Sequence, residues 1–161
     1  MSIRQFEPRD IESLLRILKA TNVFKSIEIE VARELMEICA KNPSNKDYTI
    51  RVFENGTGEI RGYYCVGPAP MTETTYDMYW IAVDPNYHDK GIGKQLLKNC
   101  EDFVKENGGR LIIAETSSLP QYENTRIFYI RNNYNESGRI KDYYALGDDL
   151  VIFSKHLTEA L

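Results

Sequence analysis

The chain has 161 residues and a formal charge of −4, with 20 basic and 24 acidic side chains interleaved along it. That length suits one domain, residues 1–161, with a substantial core, and the charge pattern excludes a basic nucleic-acid footprint. Three widely spaced cysteines, two histidines, no apolar leader after Met1 and no membrane-length apolar run predict a cytoplasmic protein with reduced thiols and no metal centre.

Ile3 to Phe6 reads as a short strand, and Asp10 can cap a helix carrying Ile11, Leu14, Leu15 and Leu18 at helical spacing. Val31, Ala32, Leu35, Met36 and Cys39 define a second helix that closes near Asn42–Pro43. Tyr48 to Phe53 and Ile60 to Val66 flank Asn55-Gly56-Thr57-Gly58 as a hairpin. A long β-branched and aromatic run from Thr74 to Val83 stops at Asp84-Pro85. A helix presenting Ile92, Leu96, Leu97, Cys100, Phe103 and Val104 follows and ends at Gly108–Gly109. Leu111 to Glu115 is a buried strand, Tyr122 to Asn132 a further helix, and Lys141 to Tyr144 with Leu150 to Phe153 a last strand pair. Strands and helices in this order predict an α/β chain with helices on both faces of a mixed sheet.

The junction from Trp80 to Lys94 carries the most chemistry. A strand, a short polar loop, Gly91-Ile92-Gly93 and a helix start follow one another directly, a succession that gathers N–H groups around an anion such as a pyrophosphate. Two nucleotide loops are excluded. A Walker-type loop needs glycine at 88 and Ser or Thr at 95, where His88 and Gln95 stand. A dinucleotide fingerprint needs a third glycine at 96, where Leu96 stands.

Ile81-Ala82-Val83, then His88-x-x-Gly91-x-Gly93, then Phe128-Tyr129 and Asn132-Asn133-Tyr134 together resemble the GCN5-related N-acetyltransferases. That family's loop reads Arg or Gln-x-x-Gly-x-Gly or Ala, and its later helix ends in Tyr-x-x-x-Gly-Phe. The resemblance is sharpest from Tyr76 to Tyr134 and implies a mixed, mostly antiparallel sheet of six to seven strands with helices on both faces. It also implies acetyl-CoA as co-substrate and a primary amine as acceptor. Three positions depart from the pattern: His88 replaces Arg or Gln, Asn133-Tyr134 replaces Gly-Phe, and Tyr122 stands where many members have a cofactor-contacting Asn. Asn can still close the helix from the left-handed region.

By that resemblance, the main chain of Ile81, Ala82 and Val83 receives the pantetheine arm and a thioester-oxygen contact, while His88, Asp89, Lys90, Gly91, Ile92, Gly93 and Lys94 hold the pyrophosphate. Tyr129 matches the family tyrosine that gives a proton to the departing sulfur. A lysine-like amine of pKa ~10.4 is about 0.04% unprotonated at neutral pH, so a base is needed. Asp77, six residues before Val83, stands where histone-type members place a glutamate base. Glu115 is the runner-up and Glu73 a third candidate. Tyr143 and Tyr144 are candidates for the acceptor pocket. No cysteine is placed to carry an acyl group, so direct transfer in a ternary complex is expected. The acceptor expected is a small-molecule amine. A protein lysine or N-terminus, or a non-catalytic acyl-CoA-binding module, are the alternatives, and a homodimer is the expectation for small enzymes of this kind.

Overall fold

The computed structural model describes residues 2–157. Along the chain lie β1 (Ser2–Gln5), α1 (Ile11–Thr21), α2 (Ser26–Lys41), β2 (Thr49–Glu54), β3 (Ile60–Pro68), β4 (Thr75–Val83), α3 (Ile92–Glu106), β5 (Leu111–Ser117), α4 (Glu123–Arg131), β6 (Asn135–Ala145) and β7 (Asp148–His156). The strands form one seven-stranded sheet in the order β1-β2-β3-β4-β5-β7-β6. Every neighbouring pair is antiparallel except β4–β5.

Two apolar layers follow from the periodicity. α1 buries Leu14, Leu15, Ile17 and Leu18, and α2 buries Ala32, Met36 and Cys39, against Ile50, Val52, Tyr63 and Cys65 of the sheet. On the opposite face α3 buries Ile92, Leu96, Leu97, Cys100 and Val104 with Tyr129 of α4 against Tyr64, Met78, Ile112 and Phe153. All three cysteines are buried free thiols. α2 begins at Ser26, five residues before its apolar pattern, because its first turn is closed by polar chemistry: the Glu28 carboxylate accepts the Lys25 N–H at 2.7 Å. The last two strands are far longer than Lys141 to Tyr144 and Leu150 to Phe153. β6 lies on the sheet edge and is exposed along most of its length, so it has no buried face to impose an alternating pattern.

β4 organises the centre. Val66 pairs with Met78 but Cys65 pairs with Trp80, so Tyr79 is an extra residue in the ladder. Tyr79, Trp80 and Ala82 therefore pack on the α1–α2 side, whereas Met78, Ile81 and Val83 pack on the α3–α4 side. The parallel ladder with β5 ends at Met78 and Ala114. Beyond it β4 stays with β3 and β5 continues along β7 through Ser117, so the two strands part and leave a wedge in the sheet.

The loop after β4 is closed by its own side chains. Buried Asp84 accepts the N–H and side-chain amide of Asn86, each at 3.0 Å, and caps the tight turn Pro85–Tyr87. Asp89 and Gly91 then take positive φ, 60° and 76°, and turn the chain into α3. At the far end of α4, Asn133 has φ 65°, the left-handed closure expected of an Asn in that place.

Candidate active site

Two cavities open where β4 and β5 part. The first, of about 640 Å³, runs along Ile81, Ala82 and Val83, the 88–94 loop and the α4 residues Asn124, Thr125, Ile127, Phe128, Arg131 and Asn132. The second, of about 300 Å³, is walled by Asp77, Glu115, Thr116 and Tyr129, by Phe24 and Glu28 of the α1–α2 region, and by Tyr144 and Asp148 of the last hairpin. Ile81 and Thr125 line both. Tyr129 stands one helical turn after Thr125, on the same side of α4.

The first cavity has the makings of an anion cradle. No acceptor among the described residues meets the main-chain N–H groups of residues 89–94, and Gln95 is the first to bond back, to the Gly91 carbonyl at 3.1 Å. Free N–H groups and the positive end of α3 thus converge on one side of the cavity. A side chain at Gly93 would place its Cβ 3.2 Å from the Phe128 ring, so glycine lets α4 close over the loop. The β4 edge beyond Met78 has no strand on its β5 side. An extended amide-bearing arm could take that place, with a pyrophosphate at the helix start.

Each loop residue expected to bind the cofactor has a definite position, except that Lys90 lies outside the cavity lining. The His88 ring bends back, its Nε2–H donating to the Val83 carbonyl at 2.9 Å. It closes the turn and leaves the main-chain groups as the loop's free donors. The Lys90 ammonium sits 4.9 Å above the Tyr87 ring. Lys94 is exposed on the first turn of α3, with no ion pair among the described residues.

The second cavity gathers the catalytic candidates. Asp77 has no hydrogen-bonding partner among the described residues, and burial pushes its carboxyl above the usual range. Glu115 is pushed up as well, first by burial and then by the Asp77 charge. Tyr129 is 4% exposed, stacked on Phe153 at 5.5 Å between ring centres and flanked by Tyr134 at 5.3 Å. Burial, with a smaller contribution from Cys100, raises its phenol well above the ordinary value. Glu73 lies exposed in the loop before β4, outside both cavities. Of the two hairpin tyrosines, Tyr144 lines the second cavity and Tyr143 packs against it edge-on.

The structure adds residues that sequence reasoning passed over. Glu28 accepts the Tyr122 hydroxyl at 3.2 Å, and Asp148 accepts the Ser117 hydroxyl. Asp148 sits in a Gly-Asp-Asp segment that reads as an ordinary turn, and Glu28 looks like part of a helix cap, so neither carried a signal. Asn124, which the family register does not select, faces the first cavity, whereas Tyr122 faces the second.

The family model for the Acetyltransferase (GNAT) family matches residues 11–129. The chain belongs to the GNAT acetyltransferases. A GNAT-family structure from Desulfovibrio desulfuricans is 34% identical over 98% of this chain and 99% of its own, with a TM-score of 0.92. An aminoglycoside 6′-N-acetyltransferase complexed with coenzyme A superimposes with a TM-score of 0.80 at 17% identity, covering 100% and 99% of the two chains. The ribosomal-protein-S18-alanine N-acetyltransferase of Escherichia coli does so with 0.74 at 19%, covering 99% and 96%. These two share the fold. No curated protein matches by sequence. As a GNAT acetyltransferase the protein uses acetyl-CoA as co-substrate.

Proposed function

We propose that this GNAT protein transfers the acetyl group of acetyl-CoA to a primary amine of a small molecule, by direct attack in a ternary complex. The observation that carries this reading is the meeting of the two cavities at Ile81 and Thr125, one with free N–H groups, the other with unpaired carboxylates. In this reading the 88–94 loop holds the pyrophosphate on main-chain N–H groups, Gly93 gives it room beneath Phe128, and β4 from Ile81 to Val83 takes the pantetheine arm. The amine enters from the other side of the wedge.

Asp77 takes a proton from the incoming ammonium, with Glu115 close enough in field to share the task. A carboxyl raised by burial is a better base than one in water, which suits removal of a proton from a weak acid. Tyr129 directs its hydroxyl at the sulfur as it leaves. Because burial makes it a weaker acid than a free phenol, it acts mainly as a fixed hydrogen-bond donor, and transfer follows as negative charge builds on sulfur. The small volume of the acceptor cavity favours a small amine over a folded protein substrate.

The test is incubation with acetyl-CoA and pooled amines (amino acids, polyamines, amino sugars, lysine peptides), with acetylated products read by mass spectrometry. An N-acetylated small amine is the expected product. Products confined to peptides would replace the acceptor class, and silence with acetyl-CoA still bound would favour a binding module.

A further inference from the structure

The acceptor cavity is lopsided in charge. Four carboxylates line it, Glu28, Asp77, Glu115 and Asp148, against a single ammonium, that of Lys25. Lys25 does not neutralise its neighbour fully: its Nζ is 3.7 Å from the Asp148 carboxylate, beyond hydrogen-bond reach, and its side chain is half exposed. The carboxylates also divide by environment. Asp77 and Glu115 stand beside the wedge without donors among the described residues. Glu28 and Asp148 are fixed by donors, Glu28 by the Tyr122 hydroxyl and the Lys25 N–H, and Asp148 by the Ser117 hydroxyl.

A second observation points to a ligand in the same space. Thr116 lines the cavity, is 5% exposed, and has a buried hydroxyl with no partner among the described residues. A buried hydroxyl left unpaired costs free energy that a bound N–H group can recover. A single amine uses one carboxylate as base and leaves three facing the one Lys25 ammonium.

We propose that the acceptor is a diamine or higher polycation: one amino group is acetylated beside Asp77 and Glu115, and a second, still protonated, is held by Glu28 and Asp148. This rests on the N-acetyltransferase reading above. In the transfer the acetyl carbon exchanges its C–S bond for a C–N bond. The proton lost by the attacking nitrogen passes to a carboxylate, and coenzyme A leaves with its sulfur protonated as the thiol. An acceptor carrying its own carboxylate meets repulsion at the second position.

Steady-state rates with α,ω-diamines from propane to octane, the matching 1-aminoalkanes and the matching ω-amino acids test the proposal, using thiol release and product mass as readouts. The best diamine is expected to exceed its monoamine in kcat/KM by about 10- to 100-fold, the range of a hydrogen-bonded charge pair, with the ω-amino acid lowest. Glu28→Gln and Asp148→Asn should each shrink that ratio about tenfold. Should Asp148→Asn fail to fold, Glu28→Gln decides, since the glutamine oxygen still caps α2. Equal turnover of diamine and monoamine leaves N-acetylation standing and overturns the second-cation site. No turnover of any amine, with acetyl-CoA bound, overturns both.

Discussion

Tyr129 and Asp77 face the same cavity but are held in opposite ways. Tyr129 is gripped by Phe153 and Tyr134, and its hydroxyl has no side-chain partner among the described residues, so Tyr129→Phe removes a functional group without removing a contact. It should lower kcat by about 100-fold while leaving acetyl-CoA affinity within twofold, measured by titration calorimetry. Asp77 has no hydrogen-bonding partner among the described residues to lose either, and its raised carboxyl fixes two signs. As a base it must be ionised, so kcat/KM should rise with pH along a limb displaced above the ordinary carboxylate range, and Asp77→Asn should abolish or shift that limb with about a 100-fold lower maximum. For stability, a carboxyl that binds its proton more tightly when folded favours the native state at low pH, and that contribution is lost as pH rises through the folded value. Asp77→Asn should therefore melt higher than wild type at pH 7, the difference fading towards pH ~4. The family resemblance singled out Tyr129 and Asp77, and both line the one cavity. Glu28, Thr116 and Asp148 were not singled out, because their places depend on which distant strands and loops meet.

Among the elements, the loop before α3 combines backbone conformation with binding. Gly91 has φ 76° and open space where a Cβ would stand, so Gly91→Ala meets strain without collision. The cost should be about 1 kcal/mol, a fall in Tm of roughly 2–4 °C, with weaker acetyl-CoA binding on top. Gly93 is demanded by a neighbour instead: the Phe128 ring leaves little room for a side chain. The sequence showed both glycines and could not distinguish their reasons, since one lies in the local φ and the other in a helix that arrives thirty-odd residues later. α1, α3 and the β2–β3 hairpin were readable from apolar spacing and turn residues. The start of α2 and the extent of β6 were hidden, one behind a polar first turn and the other by an edge position that leaves its side chains in water.

At the scale of the whole molecule, sheet and helices form two apolar layers that share β4, and the wedge between β4 and β5 joins the cavities on either side. A ligand bridging β4, the 88–94 loop and α4 ties elements of different layers into one unit. Acetyl-CoA at 100 times its dissociation constant should stabilise the fold by about 2.7 kcal/mol, raising Tm by roughly 5–10 °C for a chain of this size. Tyr129→Phe should show the same rise, which separates binding from turnover in one thermal-shift series. The order of strands and helices, and with it the two-layered sheet, could be anticipated from the sequence. The place where two neighbouring strands stop pairing was implied only by the family resemblance, at Ile81-Ala82-Val83, and not by residue spacing, because it is set by the length each strand keeps with its other partner.

The extra residue at Tyr79 sets the phase of the central strand. Along a regular strand, odd and even positions keep their sides, so Asp77 would share a side with Ile81 and Val83. The single added residue breaks that parity and lets a carboxylate look towards α1–α2 while the strand beyond it, four residues later, lays apolar side chains under α3 and α4. A residue inserted opposite Tyr79, between Cys65 and Val66 of β3, would restore an even ladder and force one half of β4 to turn over. Either Asp77 would be driven into the apolar layer or Ile81 and Val83 would be lifted out of it. The position of the candidate base is thus tied to a count of residues, and no substitution at Tyr79 that preserves the count should move Asp77 to the other side of the sheet.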